Sequence, residues 1–257
     1  MKLKYLFIKP KDFFLNLIEK FFKLTGFEIT KYGYGKIVAH PWDFPELMLL
    51  EHLKLKKKNK LFIVGAHLGK EVTRLLDTGG VSKIFLFEPN PRVIKSLKVR
   101  MLRYKKYTQI IKAAVSNKNG SSIFYETNRD ASSSMLKVSE LAYKSYKIKV
   151  NDIYKVKTIK LDTFVMQTNH QPDVLWIDVQ GAEMMVLEGA KNILRDVELI
   201  YLEISIWTPL YENGALMNEI EKLLNLYDFK LSQLGTDLLN GTGNAIYIKK
   251  TALKMAV

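Results

Sequence analysis

Residues 61–71 read LFIVGAHLGKE, and residues 83–91 read KIFLFEPNP. In each stretch an apolar run of strand length ends abruptly, the first at a turn with Gly65 and Gly69 and the second at Glu88. A strand, a glycine-bearing turn that opens a helix, and an acid about twenty residues later at the tip of the next strand are typical of nucleotide-binding βαβ units. The two stretches together predict an α/β fold with a parallel sheet.

Apolar runs of the same kind recur along the chain, separated by longer segments with helical periodicity. This alternation predicts a seven-stranded, mostly parallel sheet with helices on both faces. The predicted strands cover residues 61–64, 84–87, 109–112, 174–177, 199–203, 229–234 and 245–248. The pattern is weaker between residues 116 and 160, where we expect an extra strand at 121–125, a polar loop at 128–134 and an insertion that shapes the substrate site.

The chain has 257 residues, of which 47% are hydrophobic and 26% are charged, a balance typical of folded proteins. We expect an N-terminal helical appendage over residues 1–57 and one α/β domain over residues 58–250. Residues 12–26 have the apolar stripe of a helix, for which packing on the domain or on a partner subunit is favoured over lying on a membrane surface.

Composition limits the chemistry and the partners. The absence of cysteine excludes disulfides and thiolate metal sites, and no histidine pair has ligand spacing, so we predict no metal site. The first residues lack a signal-peptide core and no stretch is apolar enough to span a membrane, so we expect a cytoplasmic protein. The net charge of +14 would suit nucleic acid or an anionic membrane, but the cations are spread along the chain, which favours a solvated surface.

The glycine spacing limits which kind of nucleotide ligand the turn at residues 65–69 can bind. Three residues separate Gly65 from Gly69 and no third glycine follows, so the dinucleotide pattern with its pyrophosphate cradle is not met. An adenosyl ligand without a pyrophosphate fits better. Glu88 is placed to accept hydrogen bonds from both hydroxyls of a ribose, and Pro89 and Pro91 fix the chain that follows it.

A third stretch, PDVLWIDVQGAE at residues 172–183, places an acid at the end of another buried run. Asp178 would lie at the carboxyl end of a central strand, where open α/β sheets bind their ligands. Glu183 follows one helical turn later and can either cap the next helix or reach into the same crevice. Glu203 ends the predicted strand 199–203 and points to the same edge of the sheet.

These motifs together resemble the FkbM family of methyltransferases over roughly residues 58–250. The resemblance rests on GAHLG at 65–69, FEPNP at 87–91, Ala114-Val115-Ser116 with Gly120, the serines at 132–134, Leu161-Asp162, IDVQGAE at 177–183 and GNAIY at 243–247. It implies a Rossmann-like class I methyltransferase fold, S-adenosylmethionine as cofactor and methylation of an oxygen. The chain departs from the family's usual pattern at Ile63, His67, Trp176 and Gln180, where aspartate, asparagine, lysine and glutamate are common.

The residues and the resemblance together give the candidate site. Cofactor contacts are expected from Gly65, Ala66, His67, Gly69, Glu88, Pro89, Asn90, Ala114, Ser134 and Asp178. Methyl transfer to a neutral hydroxyl requires alignment and a general base, for which Asp178 is the first candidate and Glu203 and His67 are alternatives. Three residues after the fifth strand could line the acceptor pocket: Trp207, Tyr211 and Glu212.

The leading hypothesis is an O-methyltransferase that acts on a hydroxyl of a sugar-containing or other small hydroxylated acceptor, a small molecule or a glycan. An RNA methyltransferase is an alternative suggested by the charge, although no basic stripe with interleaved aromatic residues is visible. A third hypothesis is a non-catalytic binding protein that keeps this fold, which Ile63 would explain.

Overall fold

The computed structural model describes residues 44–237 and 241–250, so the helix predicted at 12–26 lies outside the described residues. The helices are α1 (Phe44–Leu55), α2 (Val72–Asp77), α3 (Pro91–Met101), α4 (Glu140–Tyr146), α5 (Leu161–Thr168), α6 (Glu183–Glu188) and α7 (Met217–Asn225). The strands are β1 (Asn59–Val64), β2 (Val81–Phe87), β3 (Thr108–Ile111), β4 (Ala114–Val115), β5 (Gly120–Thr127), β6 (Val150–Ile159), β7 (Val174–Ile177), β8 (Leu199–Ser205), β9 (Phe229–Asp237) and β10 (Thr242–Lys249).

The main sheet has seven strands in the order β3-β2-β1-β7-β8-β10-β9. Neighbouring strands run parallel except that β10 is antiparallel to both β8 and β9. Each of the seven predicted strands overlaps one of these, so the predicted α/β fold is confirmed. Successive connections lead outward in opposite directions from β1 and β7, and a ligand site is expected at the carboxyl ends of these two neighbours.

Helices cover both faces of this sheet because successive side chains of its central strands point to opposite sides. Phe62 and Val64 lie in the apolar cluster under α5, α6 and α7. Leu61 and Ile63 lie in the cluster under α1, α2 and α3. The central strands are therefore buried on both faces, which explains why they read as continuous apolar runs.

The first helix of the described part falls within the predicted appendage, residues 1–57. Leu49 and Leu53 of α1 are fully buried in the cluster that also contains residues of α2 and α3. This helix thus belongs to the packing of the main sheet, and the domain boundary after residue 57 stays a prediction.

The predicted insertion between residues 116 and 160 contributes a second sheet, in the order β4-β6-β5. The strand predicted at 121–125 is confirmed as part of β5, and the loop predicted at 128–134 contains a short 3-10 turn, Asp130–Ser132. The ten-residue strand β6 was not predicted, because most of its residues are exposed and charged or polar side chains interrupt its apolar ones.

Within the described ranges, no helix has the length and apolar character required to cross a bilayer. The same ranges contain no group of three or more His, Cys, Asp or Glu side chains that could hold a metal ion.

Candidate active site

The carboxyl ends of β1, β2 and β7 open into a cavity of about 510 Å³, a volume that includes space open to solvent. The small sheet and the loop that follows β5 close its other side. Seven of the residues predicted to contact a cofactor line this cavity, which we therefore call the cofactor cavity. They are Gly65, His67, Glu88, Pro89, Ala114, Ser134 and Asp178. The structure therefore brings together parts of the chain that are more than 100 residues apart.

Three predicted cofactor residues support the cavity without lining it. Ala66 is buried in the cluster under α1, α2 and α3. Gly69 lies against that layer too, since a Cβ there would come within 2.9 Å of Leu97 Cδ1. Asn90 caps α3 by accepting a hydrogen bond from the backbone N–H of Arg92 (2.9 Å).

Gly65 fixes the distance between the first and third site motifs. Its φ is +85°, and a Cβ at this position would lie 1.7 Å from the carbonyl oxygen of Asp178. No side chain can occupy that space without displacing backbone. The turn after β1 and the turn after β7 are therefore in direct backbone contact.

Glu88 lies at the end of β2, where two backbone N–H groups hold its carboxylate. It is 5% exposed, and its two carboxylate oxygens accept hydrogen bonds from the backbone N–H groups of His67 and Asn90, both at 2.8 Å. Burial raises the pKa of Glu88 to about 7, although these two hydrogen bonds act in the opposite direction. Each oxygen keeps a free lone pair, so the carboxylate can still accept hydrogen bonds from two ligand hydroxyls.

Other residues of the cofactor cavity were missed by the sequence analysis. Phe87, Phe124 and Met135 give it an apolar wall. Asp130 lines it as well, and its Oδ1 lies 3.2 Å from Nε2 of His67, so the loop after β5 reaches the turn after β1. The alternation of β5 could have indicated Phe124, whereas nothing local marks Asp130.

A second group of acids lies at the carboxyl ends of β7 and β8. Gln180 joins two of them, since its Nε2 donates to Asp178 Oδ1 (2.8 Å) and to Glu203 Oε2 (2.6 Å). Burial, followed by the nearby carboxylates of Asp178 and Glu183, raises the pKa of Glu203 well above its usual value. This shift favours the protonated form of Glu203. Glu203 does not line the cofactor cavity. It lines a neighbouring cavity of about 260 Å³, which we call the acceptor-side cavity after the acceptor pocket predicted around Tyr211.

Gln180 lines both cavities and forms part of the wall between them. Its backbone has a φ of +57°, and its Oε1 lies 2.9 Å from the hydroxyl of Tyr211, which also contacts the carbonyl of Ser132 at 2.8 Å. Gly181 is required beside it, because a Cβ there would come within 2.9 Å of the Tyr211 ring.

Of the three residues predicted to line an acceptor pocket, the structure places only Tyr211 in the acceptor-side cavity. Trp207 is 52% exposed outside both cavities. Glu212 pairs with Lys137 at 2.9 Å and also lies outside both of them.

Glu183 and Glu71 surround this group with further buried carboxyls. Glu183 accepts hydrogen bonds from the N–H groups of Val179 (3.2 Å) and Gly181 (3.1 Å), so it holds the turn after β7 and also lines the acceptor-side cavity. Burial raises the pKa of Glu183 and of Glu71 to about 7. The acid-rich edge is thus only partly ionised near neutral pH.

Two of the departures from the FkbM pattern are neighbours in the structure. Ile63 on β1 and Trp176 on β7 are register partners, and both are buried under α1, α2 and α3. The Trp176 ring lies 4.2 Å from that of Tyr201 on β8. Apolar packing therefore occupies both positions, and neither leaves a buried charge without a partner.

Comparisons with known proteins agree with this geometry. A profile of the methyltransferase FkbM domain matches residues 64–231. The chain is 27% identical over 173 residues to the 2-O-methyltransferase NoeI of Sinorhizobium fredii, covering 64% of this chain and 70% of that protein. It is 26% identical over 197 residues to the hexuronic acid methyltransferase AglP of Haloferax volcanii, covering 74% of this chain and 76% of that protein.

Among solved structures, the methyltransferase FkbM of Methylobacillus flagellatus superposes with a TM-score of 0.51 at 12% identity. The match covers 74% of this chain and 43% of that protein. At this identity the similarity concerns the fold, which it assigns to the Rossmann-like methyltransferases.

Proposed function

The chain belongs to the FkbM family of methyltransferases, and on that premise we propose that it transfers a methyl group from S-adenosylmethionine to a hydroxyl of a sugar-containing or other small hydroxylated acceptor. The observation that carries the cofactor assignment is the Glu88 carboxylate, which is buried at the end of β2 and lines the cofactor cavity. The names of two relatives support the acceptor class, since one is a 2-O-methyltransferase and the other a hexuronic acid methyltransferase.

The residues of the cofactor cavity suit the parts of an adenosyl ligand. The Glu88 carboxylate would accept from the ribose hydroxyls, and the wall of Phe87, Phe124 and Met135 would pack on the adenine. Asp178, at the β7 side of the cavity, would face the ammonium group of the methionine part. When bound, the cofactor supplies a methyl group on a positively charged sulfur.

The protein's task in the reaction is to orient the acceptor hydroxyl, exclude water and accept the hydroxyl proton. Asp178 is the strongest candidate for the base, because its carboxylate lines the cofactor cavity next to Gln180, which also faces the acceptor-side cavity. Glu203 is weaker, since its carboxyl lies outside the cofactor cavity and its raised pKa favours the protonated form. The third candidate, His67, lies against Asp130 of the loop after β5.

Calorimetric titration with S-adenosylmethionine and S-adenosylhomocysteine tests the cofactor assignment. We expect micromolar binding, weakened about 10- to 100-fold in Glu88→Gln because hydrogen bonds to a charged group contribute roughly 1.5–3 kcal/mol each. The matched control is Glu212→Gln, which removes an exposed acid outside both cavities and should leave affinity unchanged. Failure of the folded wild-type protein to bind either nucleoside would overturn the proposal.

The acceptor class is tested separately with a labelled methyl donor. Free and glycosidically linked hexuronic acids and hexoses are incubated with the enzyme, and the methylated oxygen is located by mass spectrometry. Label on a sugar hydroxyl supports the proposal. Label found only on RNA, in a parallel reaction, would contradict it.

A further inference from the structure

One surface of the protein carries a dense set of cations. From residue 89 to residue 125 the sequence contains no aspartate or glutamate, while α3 and the turn that follows it are dense in cations. Six exposed cations lie on this part of the chain: Lys95, Lys98, Arg100, Arg103, Lys105 and Lys106. Within the described residues, none of the six forms a salt bridge.

Apolar side chains lie among these cations. Val99 and Leu102 are 69% and 66% exposed, and Tyr107 is 40% exposed. Val99 and Leu102 line one shallow groove with Leu68, Lys95, Ser96, Arg100 and Arg103. We name the six cations together with Val99, Leu102 and Tyr107 the α3 face.

Cations of the α3 face lie close to another cation or to an aromatic ring. Lys98 lies close to Lys112, and their hydrogen bond and mutual repulsion lower the pKa of Lys98. The cations of Arg103 and Lys106 lie 5.9 Å and 5.6 Å from the ring centres of Tyr104 and Tyr107. On the buried side of the same helix, Val93, Leu97 and Met101 anchor it to the sheet. The exposed side is thus a rigid, cationic and partly apolar surface.

We propose that the α3 face docks this enzyme on an anionic phospholipid surface. Clustered lysines and arginines attract anionic headgroups, and aliphatic side chains between them can insert at the headgroup boundary. Nucleic acid would also bind these cations, but it has no apolar interior into which Val99 and Leu102 could insert. The exposed aliphatic pair therefore favours the lipid surface. The inference is independent of the acceptor that the enzyme methylates.

The groove also adjoins the cofactor cavity. His67 lines the cavity, and the next residue, Leu68, lines the groove. Docking through the α3 face would therefore hold the turn after β1 near the lipid surface.

Sedimentation of the full chain with vesicles tests the proposal. Binding is expected to vesicles of equal parts phosphatidylcholine and phosphatidylglycerol and not to pure phosphatidylcholine, and it should weaken between about 0.1 M and about 0.5 M salt. Lys95→Gln with Arg103→Gln should lower partitioning about 25-fold, from about fivefold per cation. The matched control is Lys155→Gln with Lys157→Gln, two exposed lysines on β6.

The apolar part of the α3 face is tested with Val99→Ser and Leu102→Ser together. We expect partitioning onto the anionic vesicles to fall on the order of tenfold. Met166→Ser with Leu226→Ser is its control, since these side chains are each 78% exposed elsewhere on the surface. Circular dichroism verifies that all variants are folded.

Two outcomes would overturn the proposal. One is vesicle binding that is absent, or that the α3-face variants leave at the wild-type level. The other is binding of single-stranded RNA that is tighter than vesicle binding, is lost in the charge variant and is unchanged in Val99→Ser with Leu102→Ser, which would assign the surface to nucleic acid.

Discussion

Two groups of acids meet at the carboxyl edge of the sheet, and they are held in different ways. Glu88, after β2, is held by the backbone N–H groups of His67 and Asn90. Asp178 and Glu203, after β7 and on β8, are held by a side chain, the amide of Gln180. The first acid is a fixed acceptor for a ligand, whereas the second pair shares a donor that a rotation of one side chain could release.

The difference extends to electrostatics. In both groups burial is the main cause of the raised pKa. At Glu88 the backbone hydrogen bonds oppose it, so the pKa is about 7 and the carboxylate is available near neutral pH. At Glu203 the neighbouring carboxylates of Asp178 and Glu183 act in the same direction as burial, and its pKa lies well above the ordinary value. The two parts of one edge therefore differ in what sets the pKa of their carboxyls.

The largest expected effect comes from breaking the contact between the two groups. In Gly65→Ala the new Cβ would collide with the Asp178 carbonyl, so one of the two turns must move. We expect a loss of more than about 4 kcal/mol in the free energy of unfolding, which places it among the exceptional substitutions. Chemical denaturation followed by circular dichroism measures this loss.

The matched control is Gly79→Ala, since Gly79 has a similar φ of +71° but no atom within 4 Å of its Cβ position. This substitution should lower the free energy of unfolding by only about 1–2 kcal/mol, the strain of a left-handed backbone in a non-glycine residue. Equal losses in both variants would show that the backbone conformation matters at residue 65 and the contact with Asp178 does not.

The same difference explains what the sequence could predict. Gly65 and Glu88 were predicted because a strand, its turn and its acid are local, and the backbone supplies the partners. The α/β fold was predicted for a similar reason, since the buried strands are continuous apolar runs. The link from Gln180 to Tyr211 and Ser132 joins three distant segments through side chains, and no spacing in the sequence encodes it. Strand β6 was missed because its mostly exposed and polar residues obscure the alternation.

A smaller effect is expected when the chemistry is changed and the contact is kept. Asp178→Asn preserves the shape of the side chain but removes the proposed base, so kcat for methyl transfer should fall about 10²- to 10⁴-fold. Affinity for S-adenosylhomocysteine should fall as well, since Asp178 faces the ammonium group in the proposed complex, so the rate is measured at saturating cofactor. The pKa of Glu203 should fall, because the carboxylate of Asp178 contributes to raising it.

Single-turnover rates and product titrations of the two variants separate these effects. Glu203→Gln is the control, since it removes a carboxyl that lies outside the cofactor cavity and should reduce kcat less than Asp178→Asn does. A kcat in Asp178→Asn that equals the wild-type value would exclude Asp178 as the base and direct attention to His67.

The smallest effect concerns the protonation of Glu88. Its pKa of about 7 lies above the ordinary value, so the carboxyl is charged above pH 7 and becomes neutral below it. Because the ribose hydroxyls donate to the charged form, binding lowers this pKa, and affinity should fall by up to about tenfold per pH unit below 7 and level off above it. Calorimetry with S-adenosylhomocysteine between about pH 5.5 and 8.5 measures the slope.

Glu183 titrates in the same range, so Glu183→Gln should keep the slope while Glu88→Gln abolishes it. If the slope instead disappears in Glu183→Gln, the acids after β7 control cofactor binding, and the separation of the two groups fails.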